Sequence, residues 1–123
     1  MGRRRPVVVA VEGISGSGKS TLVARAADEF GWVPLAEAYD RLEPRPALGV
    51  RSAPALERVE RQLFEEDGRR FEAAQALVRR GATVLADTGF LGPLTYTAGL
   101  VALGAVPPRI QRHLLDRARR WGR

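Results

Sequence analysis

Gly13-Ile14-Ser15-Gly16-Ser17-Gly18-Lys19-Ser20 meets the spacing G-x-x-x-x-G-K-[ST] at every fixed position, and residues of these types at this spacing suit one task, gripping polyphosphate. Glycines let the backbone curl so that several N–H groups turn inward at phosphate oxygens, and a helix N-terminus behind them adds partial positive charge. Lys19 would carry a compact charge to the outer phosphates, and the Ser20 hydroxyl would ligate the magnesium that travels with them. Gly13, Ser15, Gly16, Ser17, Gly18, Lys19, Ser20 and Thr21 are therefore the expected nucleotide-binding residues. Of the twenty lysines and arginines only Lys19 is a lysine, so a flexible ammonium stands at the one place where it is wanted. A carboxylate completes the expected magnesium site: Thr83-Val84-Leu85-Ala86 reads as an apolar strand ending on Asp87, an acid delivered at the carboxyl end of a strand beside the loop.

The flanks supply the setting that the spacing requires, strand then loop then helix. Val7 to Val11 reads as a short, fully buried parallel strand. Thr21 to Phe30 reads as a helix with Leu22, Val23, Ala26, Ala27 and Phe30 on one face and Gly31 as its stop. Trp32 to Ala36 is the second expected strand, ending at Glu37; Pro34 cannot donate to a ladder and so favours an edge. Tyr39 to Ser52, with Pro44, Pro46 and Gly49 among charges, reads as a loop. Ser52 can cap a helix that carries Leu56, Val59, Leu63 and Phe64. Past Gly68 the same helix, or a second one, carries Phe71, Ala74, Leu77 and Val78 and stops at Gly81. Leu94 to Leu103 is expected to be helical, and Pro107 to Trp121 to be an amphipathic helix with Ile110, Leu114, Leu115 and Ala118 on one face. Three strands emerge, fewer than the five or more usual in an open doubly wound sheet.

A length of 123 residues predicts one domain, 1–123, with a single modest core. Formal charge is +6 and the sequence pI about 11.1. The arginines are scattered among carboxylates along helical segments, which disfavours a dedicated nucleic-acid surface and suits anionic small molecules. The chain has no cysteine and one histidine, His113, so disulfides and thiolate or histidine metal sites are excluded. Arg3-Arg4-Arg5 and the apolar run after it resemble a signal peptide, but the run ends at Glu12 and enters the loop without a cleavage site. No stretch approaches the roughly 20 apolar residues of a membrane span. The expectation is a cytoplasmic protein without a membrane partner; a homodimer is left open.

Three pieces resemble the deoxynucleoside kinase and thymidylate kinase group of phosphate-loop kinases. Val11 to Thr21 looks like the first strand and loop of deoxynucleoside kinases. Glu37 matches by position the acid that serves there as general base on the sugar hydroxyl. Asp87-Thr88-Gly89, followed by Leu94-Thr95-Tyr96-Thr97-Ala98-Gly99, is similar to the thymidylate kinase segment in which an Asp-Arg pair follows the third strand. The resemblance implies an α/β fold, a three-layer α/β/α P-loop NTPase with a parallel sheet of order 2-3-1 and later strands missing. It implies ATP and Mg²⁺ as cofactors and transfer of the γ-phosphoryl group to a small hydroxylated acceptor, a nucleoside or nucleotide. Lys19, Glu37 and Asp87 would be the catalytic residues and Ser20 and Asp87 the metal ligands, with Asp40 the alternative to Glu37. On the same analogy the Tyr39 to Ser52 loop and the helix containing Phe64 and Phe71 would line the acceptor pocket. The chain departs from the group at Thr88, where an arginine is expected, and at the arginine-bearing lid, for which Arg117, Arg119 and Arg120 could stand in, although solvated helical arginines are the favoured reading of the three. A nucleotide-binding ATPase module, or an incomplete fragment without kinase activity, is the alternative. A GTPase is disfavoured because no asparagine and no second lysine exist to build a guanine-reading segment.

Overall fold

Residues 4–13, 16–47 and 52–121 are described by a computed structural model. Short, mostly apolar runs form three strands, β1 (Val8–Val11), β2 (Val33–Leu35) and β3 (Val84–Asp87), and helices α1 (Lys19–Phe30), α2 (Ala38–Arg41), α3 (Ala53–Arg79), α4 (Gly92–Ala102) and α5 (Pro108–Ala118) occupy most of the rest. The protein is mixed α/β, and its strands make one parallel sheet in the order β1-β3-β2. That is the expected 2-3-1 order. Val8 to Val11 align with Val84 to Asp87, and Val33 to Leu35 with Val84 to Ala86.

Two compact units are present, Met1–Glu37 with Arg70–Gly89, and Ala38–Arg69 with Phe90–Arg123. In the first, β3 is central and all four of its residues are buried. Val23 and Ala27 of α1 pack on Leu85, joined by Val9, Val11, Ala26 and Trp32. β1, at the edge of the sheet, differs from the expectation of full burial: Val8, Val9 and Val11 are half-buried and Ala10 is exposed. The expected face of α1 is also narrower, since Leu22 and Phe30 are 57% and 60% exposed; Val23 and Ala27, one turn apart, face the sheet with Ala26 beside them. Pro34 sits where its missing N–H predicts, on the edge strand β2.

In the second unit the apolar stripe of α3 meets α5. Phe64, Ile110 and Leu114 form the core with Leu94, Ala118 and Trp121 around them. Phe64 stacks on Trp121 at 4.8 Å between centroids. Phe64 is thus packed core, and Leu115, expected on the same face, is 40% exposed. Arg117 pairs with Glu65 and stands over the Phe64 ring, while Arg119 pairs with Asp116. Residues 38 to 41 form the short α2 within the segment expected as loop, of which residues 48–51 lie outside the described residues. The two candidate stretches around Gly68 are one helix, α3, started by Ser52, whose Oγ accepts the Ala55 N–H at 3.3 Å. Gly81 closes it at φ 93, with the Ala82 N–H on Leu77 O.

The same α3 stripe buries charge. Glu66 is 6% exposed and accepts from Arg41 Nε and Arg69 Nε, each at 2.7 Å. Glu60 is 4% exposed and has the weaker support of the Thr97 hydroxyl at 3.4 Å. Burial pushes the Glu60 carboxyl from 4.5 up to about 7; the Thr97 hydrogen bond opposes this and the Asp67 carboxylate adds to it. A folded-state value above the unfolded one means that stability is highest at low pH and declines as pH rises from about 4.5 through 7. The neutral isostere in Glu60→Gln should therefore change stability little near pH 5 and raise it by about 2–3 kcal/mol near pH 8. Urea unfolding at both pH values checks this; a gain of equal size at both would remove ionisation as its cause.

Candidate functional site

The strand β1 ends at Val11, and the chain then turns into α1 through the glycine-rich segment. Gly16 and Gly18 take φ values of 80° and 84°, in the left-handed region open to glycine at little cost. A Cβ on Gly13 would come to 2.9 Å from Ser17 Oγ, a contact that rotation of the Ser17 hydroxyl relieves. Gly18 is the N-cap of α1 and brings no side-chain hydrogen bond, and the first turn holds no acid. The uncapped amides leave this helix end with its full partial positive charge. Ser15, expected among the binding residues, lies outside the described residues together with Ile14.

Lys19 and Ser20 open α1 and meet the carboxyl ends of the neighbouring strands. Ser20 Oγ donates to Asp87 Oδ2 at 2.6 Å. Lys19 Nζ lies 3.0 Å from Asp87 Oδ1 and 3.7 Å from Glu37 Oε2. The two carboxylates expected from sequence thus share one ammonium. Asp87 is buried, and burial alone would raise its pKa. The Ser20 hydroxyl, the Lys19 ammonium and the Arg70 guanidinium outweigh that and hold it below the usual carboxylate value. Asp87 is ionised at neutral pH.

An open cavity of about 410 Å³ lies against this cluster, lined by the glycines Gly13, Gly16 and Gly18 and by Lys19, Ser20, Thr21, Glu37 and Thr88. Ser17 is exposed in the same turn. Of the expected residues, Gly13, Gly16, Gly18, Lys19, Ser20, Thr21, Glu37 and Asp87 are brought together. Asp40, the alternative to Glu37, pairs with Arg45 at 3.6 Å in the other unit.

A hard divalent cation bound with nucleotide needs one or two protein oxygens, the rest coming from phosphate and water. No group of three or more acidic, histidine or cysteine side chains exists among the described residues. Ser20 Oγ and Asp87 supply the smaller set, and Asp87 Oδ1 is buried without a well-directed hydrogen bond, facing Lys19 as an ion pair only. These oxygens fit a nucleotide-borne Mg²⁺.

Arg70 was not among the expected site residues. It is fully buried and its guanidinium donates to Ala36 O, Asp87 O, Thr88 O and Gly89 O. The signal was present in the sequence: Arg70 falls on the stripe of α3 that also carries Leu63 and Ala74, a charge where an apolar residue belongs. Glu12 was missed as well; its carboxylate accepts the Gly89 N–H at 2.6 Å.

Comparison of the chain with protein-family models gives no match, and comparison with curated proteins gives none.

Proposed function

We propose that the chain is an ATP-binding phosphotransferase of the P-loop NTPase fold, moving the γ-phosphoryl group onto a small hydroxylated acceptor of the nucleoside or nucleotide kind, in the cytoplasm. The observation that carries this reading is the convergence of Lys19, Ser20, Asp87 and Glu37 on the uncapped N-terminus of α1 beside an open cavity. The protein's task in phosphoryl transfer is mostly positioning and charge neutralisation, and the cluster holds the groups for both. The loop amides and Lys19 would bind the phosphates. Ser20 and Asp87 would hold Mg²⁺, which supplies neutralisation of charge on the phosphate oxygens when bound. Glu37, 35% exposed in its side chain at the cavity wall, would accept the proton of the acceptor hydroxyl as its oxygen bonds to the γ-phosphorus and ADP departs with the bridging electron pair. No helix among the described residues is long and apolar enough to cross a membrane.

Turnover of ATP measured with and without a panel of nucleosides and nucleotides tests the reading. Acceptor-dependent ADP release supports it, acceptor-independent hydrolysis points to an ATPase module, and failure of the purified protein to bind ATP–Mg²⁺ refutes it. Glu37→Gln should lower turnover about 10²-fold or more while ATP affinity stays close to wild type; an unchanged rate removes Glu37 from the mechanism.

A further inference from the structure

Asp87 and Glu37 reach Lys19 from the ends of two different strands, and a single side chain binds carbonyls beside both. Arg70 Nε donates to Ala36 O at 2.8 Å, Nη2 to Asp87 O at 2.8 Å and to Thr88 O at 3.0 Å, and Nη1 to Gly89 O at 3.2 Å. Ala36 is the residue before Glu37. We propose that Arg70 is a positioning residue that sets the spacing of the Glu37 and Asp87 carboxylates about Lys19, by gathering the carbonyls that end β2 and β3 onto one buried guanidinium. The proposal rests on the reading above, in which those two acids serve a nucleotide site.

Physical chemistry makes the arrangement specific to arginine. A guanidinium presents five donors in a rigid plane, whereas a lysine offers three from one point. Taking a cation wholly out of water is costly unless its protons are matched, and here each guanidinium nitrogen meets a carbonyl. The segment it holds is strained: Thr88 takes φ 64°, a region costly for a β-branched residue. Thr88 O goes to Arg70, its hydroxyl donates to Asp87 O at 2.6 Å, and its N–H donates to Val11 O at 2.9 Å. Glu12 holds the next N–H, that of Gly89. The turn that delivers Asp87 is thereby tied through its carbonyls to Arg70 and through its amides to the start of the glycine-rich loop. Backbone strain of this kind persists only where the surroundings over-determine it, and is concentrated at functional sites.

The test compares the full chain as wild type, Arg70→Lys and Ala74→Gly. The last loosens the same helix one turn on, at a wholly buried residue, without touching the guanidinium. Two quantities are read: amide hydrogen exchange, and the Mg²⁺-dependent gain in ATP affinity, taken as the Kd in EDTA over the Kd in Mg²⁺. In Arg70→Lys, exchange at Thr88 and Gly89 should accelerate at least about tenfold relative to Val84 and Leu85, and the Mg²⁺-dependent gain should shrink about 10–100-fold. Ala74→Gly should speed exchange evenly and leave the gain intact. The same pattern in both variants, or no change in Arg70→Lys, overturns the proposal. Should Arg70→Lys fail to fold, Arg70→Gln, which keeps an amide donor without a buried charge, is read the same way: faster exchange at Thr88 and Gly89 than at Val84 and Leu85 supports the proposal, and an unchanged ratio overturns it. A wild-type chain without ATP affinity refutes the nucleotide reading instead, while the exchange comparison still reports whether Arg70 fixes the turn after β3.

Discussion

Replacing Lys19 with alanine is expected to reduce phosphoryl transfer about 10³-fold or more, the scale of losing a preorganised charge at a reacting group, and to cost folding stability as well. Both follow from one geometry. The ammonium stands 3.0 Å from Asp87 and 3.7 Å from Glu37, with only 11% of its side chain exposed. Without it the outer phosphates lose their point charge, and a buried carboxylate loses its nearest cation. An uncompensated group of this kind costs on the order of 1–3 kcal/mol. Asp87 would still have the Ser20 hydroxyl and the Arg70 guanidinium nearby, so the variant should fold and permit the measurement. Turnover, ATP binding by calorimetry and urea unfolding together check the expectation. Retained turnover would count against the whole scheme, because no other lysine exists to substitute.

Asp87→Asn separates the metal from the phosphates. The amide keeps the size of the carboxylate and can still accept from Ser20 Oγ, but it removes one negative charge beside Lys19. Binding of ATP in EDTA should therefore hold or tighten, since less negative charge faces the triphosphate. Turnover in Mg²⁺ should fall about 10²–10³-fold. Opposite signs in the two media are the decisive feature. Equal losses with and without Mg²⁺ would mean that Asp87 supports the loop and does not serve the metal.

Much of the first unit could be read from sequence because its signals are local. Val7 to Val11, the glycine-rich spacing and the helix after it are contiguous, and Pro34 announces an edge through its missing N–H. Asp87 could be read because an apolar run stops on it. What escaped was set by partners distant in the chain. β1 looks fully buried in composition, yet its three valines are only half-buried and Ala10 is exposed, which depends on what packs over the strand. Leu22 and Phe30 satisfy a helical face, yet α1 touches the sheet along a narrower line. Sequence leaves the continuity of α3 through Gly68 open between two readings, and packing decides it over the weak propensity of glycine. Arg70 escaped for the instructive reason: its partners are main-chain carbonyls, which have no identity in a sequence. Only a charge out of place on an apolar stripe gives it away.

The two margins of the sheet are unequally guarded. β2 is three residues long and carries Pro34, which blunts recruitment of a further strand. β1, Val8–Val11, has neither proline nor charge, and Ala10 lies open to solvent. Where no further strand covers it, a rim of this kind is open to edge-to-edge pairing with an extended apolar peptide. Mutual repulsion between molecules of charge +6 opposes this, but salt shortens the reach of that repulsion. Colloidal behaviour should then run against common laboratory habit, with the protein keeping best in dilute buffer of low ionic strength and clumping as sodium chloride is added.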